Sequence, residues 1–386
     1  MTYGRTELRS GLEGVAVAET VLSHVDGARG RLVVAGRDVE ELAASASLEE
    51  VAGTLWAADG PPIPAEKIRA ALGEGRVAAF ALLPSLGGAL DAADAMDALR
   101  AAVAHLAEAR GAGERWEPFA RIAGAVAIFA AAWERRHCGA PLLAPDPELG
   151  HAADYLRMLR GGPAKEHELR ALDAYLVTVA DHGLNASTFA ARVVASTGSD
   201  LVSAVTAAIG ALKGPLHGGA PGPVLDLLDL VGSPENARSV LEREMDARRR
   251  IMGMGHRVYR VRDPRAAVFE GAVERLRAAT VAEAGERAAQ VAARLELARA
   301  VEREATALLA VRYPSRALRA NVEFYTAVLL EAIGVPRELF SPTFAVARVV
   351  GWTAHVDEER RRGRLIRPSS IYVGAVPKDA STEATG

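Results

Sequence analysis

The 386 residues contain a single cysteine, Cys138. That excludes an intrachain disulfide framework and a cysteine-based zinc site, and it suits a reducing cytoplasm, the compartment expected for this chain. Aromatic residues make up only 5%. Neither sign of charge is in excess: the formal net charge is -3, which gives no reason to expect nucleic acid or an anionic membrane as a partner. No uninterrupted apolar run reaches about 18 residues, so no membrane-spanning helix is expected. The opening MTYGRTELRSGLEG lacks the apolar run of a signal peptide. The patterns GxxxxGK(S/T), HExxH and GxSxG are also missing. Gly253-Met254-Gly255 leads into HRVY and lacks the third glycine of a dinucleotide loop. No repeat of solenoid period is present.

What remains is rich in helix formers. Hydrophobic residues are 50% of the chain, and alanine is abundant beside Leu, Glu and Arg. The expected fold class is all-α with a short N-terminal β segment, and the length suits a large domain plus a smaller one. Residues 11–38 read as strand and turn: VAVAETVLSHV is β-leaning, Asp26-Gly27 signals a turn, and RLVVAG returns as a second strand. Beyond Leu48 the pattern is helix after helix. Leu169, Leu172, Leu176 and Val179 fall on one helical face. Ser203–Leu212 is an apolar helix stopped by Gly214-Pro215, and residues 264–311 read as helical throughout. Pro342 opens a helix running through Trp352 to EERRRG, with Gly363 as C-cap. Within the mixed segment 128–165, HCGAPLLAPDPELG reads as a loop, and the tail after Pro377 is polar.

Three histidines stand in loop-forming surroundings: His182 in VADHGLNAST, His217 in LKGPLHGGA and His256 in MGMGHRVYRVRDPR. One such histidine is more often structural than catalytic. Three of them beside glycines, which let backbone approach a ligand closely, suggest hydrogen-bond donation or proton transfer near neutral pH. Arg265 ends DPR, Arg348 sits inside the apolar run TFAVARVVGW, and Arg367 precedes Pro368 in LIRPSS. A guanidinium held among apolar residues either snorkels, pairs with a local acid, or forks onto a carboxylate ligand. Glu323 in RANVEFYTAVLL reads, by itself, as an acid complementing a helix N-terminus.

Taken together, GPLHGG around His217, GMGHRVYRVRDPR around His256, NVEFY around Glu323, FAVARVVGWTAH around Arg348 and RLIRPSSIYVG resemble the citrate synthase family. The opening GLEGV…ET…SHVDG…GRL…GRDVEELA is similar to the start of bacterial members, so the likeness runs from Gly11 to about Gly374. The resemblance implies a two-domain helical fold: residues 1–218 begin the large domain, 219–334 form the small domain, and 335–386 complete the large one and reach a partner subunit. It implies a homodimer that condenses acetyl-CoA with oxaloacetate, through an enol and citryl-CoA, to citrate and CoA. His217, His256 and Glu323 would be catalytic. His182, Arg265, Arg348 and Arg367 would hold the oxo acid, with Arg367 acting in trans. Gly253, Met254, Gly255 and Arg260 would contact CoA, joined by a basic residue between Arg312 and Arg319. No metal and no permanently bound cofactor is implied; CoA is cosubstrate and product.

Three departures stand out. NVE replaces the family's usual NVD, so the base is a glutamate. GGAPGPV follows His217 where many relatives have an Asn-Glu pair, and GRDV replaces the commoner Gly-Tyr-Asp. Two other readings follow: a 2-methylcitrate synthase using propionyl-CoA, and a non-catalytic CoA- or dicarboxylate-binding protein on the same fold.

Overall fold

The computed structural model describes residues 10–12, 14–107, 113–218, 221–256, 259, 261–281 and 286–375. Among them are fifteen α-helices and one small antiparallel sheet. The sheet is the expected hairpin. Ser23–Asp26 pairs with Arg31–Val34, Ser23 opposite Val34 and Asp26 opposite Arg31, and Arg37–Asp38 adds a third strand. Asp26 shapes the turn, its Oδ1 accepting from the backbone N–H groups of Ala28 (3.1 Å) and Arg29 (2.9 Å). The first strand is shorter than its sequence suggests: residues 15–20 have β-leaning side chains but no strand beside them to pair with.

Local signals start several helices. Ser47 and Glu50 form a reciprocal capping box on Leu48–Ala57, and Asp200 accepts from Ser203 N (2.7 Å) at the head of Leu201–Leu212. Asn185 caps Ala186–Ser196, its Oδ1 accepting from Thr188 N at 3.1 Å. The stripe on Glu166–Val179 is the buried face, with Leu172, Leu176 and Val179 inside. Residues 264–311 divide into Pro264–Val281 and Glu286–Arg312. Part of the mixed segment 128–165 is helical: Glu117–His137 runs to the edge of the loop and His151–Arg160 follows it. The final helix begins two residues before Pro342, as Phe340–Arg362. Gly363 ends it in an extended conformation rather than the left-handed one, and a Cβ there would lie 1.9 Å from Glu359 Oε1.

Two helices are buried on nearly every side. Glu117–His137 is buried from Phe119 to Trp133 apart from Arg121, and its run of alanines lets neighbours approach all round. Gly124 and Gly75 make its crossing with Ala65–Leu82 possible: a Cβ on Gly124 would sit 2.7 Å from Arg76 N, and one on Gly75 would sit 2.8 Å from Arg121 Cα. Phe340–Arg362 is buried as far as Glu359 and accepts the indole of Trp56, whose Nε1 donates to Thr353 Oγ1 (2.9 Å) and Val350 O (3.1 Å). Helices Pro221–Val231, Ala237–Asp246, Pro264–Val281, Glu286–Arg312 and Val322–Ala332 pack on one another, and Pro264–Val281 also lies against Glu166–Val179. None of the described helices is long and apolar enough to cross a membrane.

Gly124→Val should cost roughly 1–3 kcal/mol, because the added atoms meet backbone that cannot move aside. Thermal unfolding of the purified variant checks this, and an unchanged midpoint would refute the crossing geometry.

Candidate active site

The turn between Glu166–Val179 and Ala186–Ser196 carries Asp181, His182 and Gly183. It lies directly on the final helix because Gly351 has no side chain: a Cβ there would come within 2.3 Å of Ala180 O. Three residues earlier on that helix, Arg348 Nε donates to Val179 O at 2.5 Å. The guanidinium is buried, its carbon lies 4.7 Å from the Phe344 ring centre, and Nη2 has no hydrogen-bond partner. Burial pulls its pKa down to about 10, Asp181 opposing, so it is still charged at neutral pH. Such a cation is costly without a counter-ion.

The second wall is the loop from Gly253 to Arg265. Met254 bridges to Ala320, Gly255 N donates to Arg319 O (2.7 Å), and Asn321 N donates to Gly253 O (2.9 Å). Asn321 Nδ2 adds a bond to Gly255 O at 2.9 Å. Both glycines are obligatory: Gly253 has φ +74° and Gly255 φ +89°, and Cβ atoms there would strike Phe324 and Leu318. This clamp brings His256 beside the helix Val322–Ala332, with Glu323 in its first turn.

Arg265 is gripped by Asp263, which accepts from Nε (3.0 Å), Nη2 (2.8 Å) and the backbone N–H (3.0 Å). Burial opposes its charge, but Asp263 raises the pKa. Its Nη2 also stands 3.3 Å from His256 Nε2. His256 Nδ1 accepts from Tyr259 N at 3.1 Å. A neutral ring has one acceptor; with Tyr259 N taking Nδ1, the ring proton lies on Nε2, and the 3.3 Å approach of the donor-only guanidinium is then a close contact and not a hydrogen bond. His182 lies edge-on to His256, ring centres 6.0 Å apart, and its Nε2 is 3.1 Å from Tyr259 Oη.

His217 Nε2 is 2.8 Å from Ser187 Oγ. That hydroxyl accepts from Trp352 Nε1 (3.1 Å) and faces Asn185 Oδ1 (2.8 Å). Its single proton must choose between Asn185 and His217. When it goes to His217, Nδ1 keeps the ring proton and points it away from Ser187.

Burial and the two guanidiniums keep all three rings neutral. Burial is the main cause at each. His217 is pushed down to about 4, with Arg348 and then Arg265 adding to burial; His256 is pushed down to about 4, with Arg265 adding to it. His182 lies well below the usual range, with Arg265, Arg348 and His256 all adding. Burial raises the pKa of Glu323, opposed by Arg265. The site is therefore two buried cations, three neutral imidazoles and one carboxylate of raised basicity.

Other expected site residues lie differently. Arg367 is exposed, follows the final helix, and makes no ion pair among the described residues; its neighbour Ile366 N donates to Ser196 Oγ (3.1 Å). Met254 is buried, and Gly253 O with both polar groups of Gly255 is used in the clamp. Arg260 lies outside the described residues. Between 312 and 319, Arg312 pairs with Asp246 (2.8 Å), whereas Arg316 and Arg319 are exposed. Residues to which the sequence gave no role are Ser187, Tyr259, Asp263, Asn321 and Trp352. Only Asn321 carried a signal, as an amide immediately before the helix that bears Glu323. No group of three or more metal-binding side chains occurs among the described residues. A second cleft, lined by Arg160, Arg287, Arg294 and Glu331, contains none of the three histidines, and its arginines pair with Glu168, Glu331 and Asp229.

A family model described as "Citrate synthase, C-terminal domain" matches residues 11–369. The chain belongs to the citrate synthase family. It is thus a member of a family of enzymes that transfer an acyl group. The citrate synthase of Haloferax volcanii is 38% identical over 95% of this chain and 96% of its own length. The 2-methylcitrate synthase of Mycobacterium tuberculosis is 36% identical over 96% and 91%. A stretch of 226 residues is 46% identical to "Putative citrate synthase 2" of the same genus, spanning 58% of this chain and 57% of that relative's length. Among solved structures, the complex of carboxymethyl coenzyme A and oxaloacetate with the citrate synthase of Thermoplasma acidophilum superposes with TM-score 0.82, at 29% identity over 96% of this chain and 97% of that one. The Pyrobaculum aerophilum citrate synthase gives 0.80 at 35% identity, over 95% and 93%.

The neutral histidines set a pH dependence. In the fold His217 and His256 titrate near 4, against 6.5 for a free histidine. The unfolded chain therefore takes up protons first, and their contribution to stability is lost as pH falls from about 6.5 towards 4. Thermal midpoints across that window should fall more steeply for the parent than for His256→Gln; equal slopes would contradict the burial of a neutral ring.

Proposed function

We propose that this chain condenses acetyl-CoA with oxaloacetate to give citrate and CoA. The observation that carries the reading is the buried, unpaired Nη2 of Arg348 beside His182, His256 and Arg265. A small dicarboxylate would supply the missing negative charge, and a guanidinium recognises a carboxylate by paired hydrogen bonds. His182, Arg265 and Arg348 hold the oxo acid with its ketone at His256 Nε2. Glu323 removes a proton from the acetyl methyl, and the raised basicity of a buried carboxylate suits it to this task. With the Ser187 proton given to His217 Nε2, neutral His217 donates from Nδ1 to the thioester oxygen as negative charge develops there. The enol carbon attacks the ketone, His256 protonates the new alkoxide, and water cleaves citryl-CoA to release the thiol. No metal or resident cofactor takes part.

The same reading divides the chain into a large domain, residues 1–218 with 335–386, and a small domain, 219–334, closing over the site. The mutual packing of the helices from Pro221 to Ala332 supports it. CoA would approach along the Gly253–Gly255 turn and Arg260, its phosphates near exposed Arg316 and Arg319. Arg367 would act in the site of a second copy. The exposed tail beside it supports this, with Tyr372 72% and Val373 92% exposed, an apolar strip suited to another subunit.

CoA thiol release with oxaloacetate present and absent tests the reaction, comparing acetyl-CoA with propionyl-CoA. Oxaloacetate-dependent release favouring acetyl-CoA is expected. Preference for propionyl-CoA would move the assignment to 2-methylcitrate synthase, a reading kept alive by the 36%-identical relative. No dependence on oxaloacetate would leave a binding protein. Glu323→Gln should lower kcat by roughly 100-fold or more; near-parental turnover would remove Glu323 from the mechanism.

A further inference from the structure

The N-terminal hairpin touches both walls of the site. At its base, Ser23 Oγ donates to Asp181 Oδ2 and accepts from Gly183 N at 2.8 Å. Those two residues flank His182, so one hydroxyl holds both of its neighbours. The same Asp181 oxygen stands 3.2 Å from His355 Nε2. His355 Nδ1 is 3.0 Å from Arg192 Nη1, and Arg192 pairs with Glu358 (2.7 Å) and Glu359 (2.8 Å). Val21 N donates to Glu358 Oε1 at 3.0 Å, which fixes the entry to the hairpin on the same helix. At the other end, Gly30 has φ +65°, and a Cβ there would lie 2.6 Å from Val261 Cγ2 and 3.4 Å from Arg262 O. Val261 and Arg262 belong to the loop between His256 and Arg265.

We infer that Ser23 is a positioning residue for His182, and that the hairpin is a strap fixing the His182 turn relative to the loop of His256 and Arg265. A side chain that only filled space would not need a hydroxyl bonded to groups on both sides of one ligand-binding histidine. The buried charges behind Asp181 hold its carboxylate, so the position of His182 depends on Ser23 on one side and His355 on the other. The kinetic consequence rests on the reading of His182 as an oxo-acid ligand.

The test uses the full chain with Ser23→Ala, Ser23→Thr and Gly30→Val. Kinetics in both substrates are combined with long-range nitrogen spectra of histidine-labelled protein, the His182 signals identified by their loss in His182→Gln. Ser23→Ala should raise KM for oxaloacetate about tenfold and that for acetyl-CoA by less than about twofold, as expected for displacement of one substrate's ligand. Ser23→Thr, which keeps the hydroxyl, should recover most of the loss. The His182 signals should shift in Ser23→Ala while those of exposed His105 stay. Gly30→Val should lower kcat by separating the tip from Val261. Unmoved His182 signals with normal turnover overturn the inference alone, as does a Ser23→Thr variant no better than Ser23→Ala with both KM values raised together. Shifted His182 signals in a protein with no oxaloacetate-dependent turnover uphold the strap and refute the proposed reaction.

Discussion

Arg348 carries a positive charge on a helix enclosed on nearly every side, and much of the surrounding structure serves to keep it there. Gly351 brings the Ala180–His182 backbone against the helix, Val179 O takes the Nε proton, Phe344 lies under the guanidinium, and Asp181 answers part of the charge through space. The compensation is incomplete, since Nη2 is left over. Burial keeps the histidines neutral, with this charge and that of Arg265 adding to it at His182 and His217. An electrostatic site built this way is prepared before any ligand arrives, so little reorganisation is needed when charge develops during reaction.

Two other buried guanidiniums are tied down by partners of their own. Arg265 is locked by Asp263, and Arg192 by Glu358 and Glu359. Removing one member of such a buried pair leaves an uncompensated charge, so substitution there is costly to stability even where no substrate is touched.

Much of this was legible in the sequence. The helical class, the hairpin around Asp26-Gly27 and the stripe on Glu166–Val179 follow from period and turn chemistry. The three histidines with Arg265 and Arg348 were legible because their motifs recur together in one family. What could not be read are the partners that orient them. Ser187 meets Trp352 across 165 positions, and Ser23 meets Asp181 across 158. Serine is common and either contact depends on packing, so no local pattern marks it. The strand edge was misjudged for a related reason: residues 15–20 have the side chains of a strand but no neighbour. Gly363 is the expected C-cap, its N–H donating to Glu359 O at 2.7 Å, but it is extended and not left-handed, and a Cβ there would lie 2.6 Å from that same oxygen.

The place of Phe340–Arg362 in the chain has a consequence for biosynthesis. The helix that completes the core is made long after the helices it packs against. Trp56 waits for an acceptor 294 positions downstream. At about 5–20 residues per second that is roughly 15–60 s on the ribosome. Throughout that interval the earlier helices present an apolar trough to water, and Gly351 has not yet arrived to receive the His182 turn. The native core therefore forms only when the final helix has left the exit tunnel.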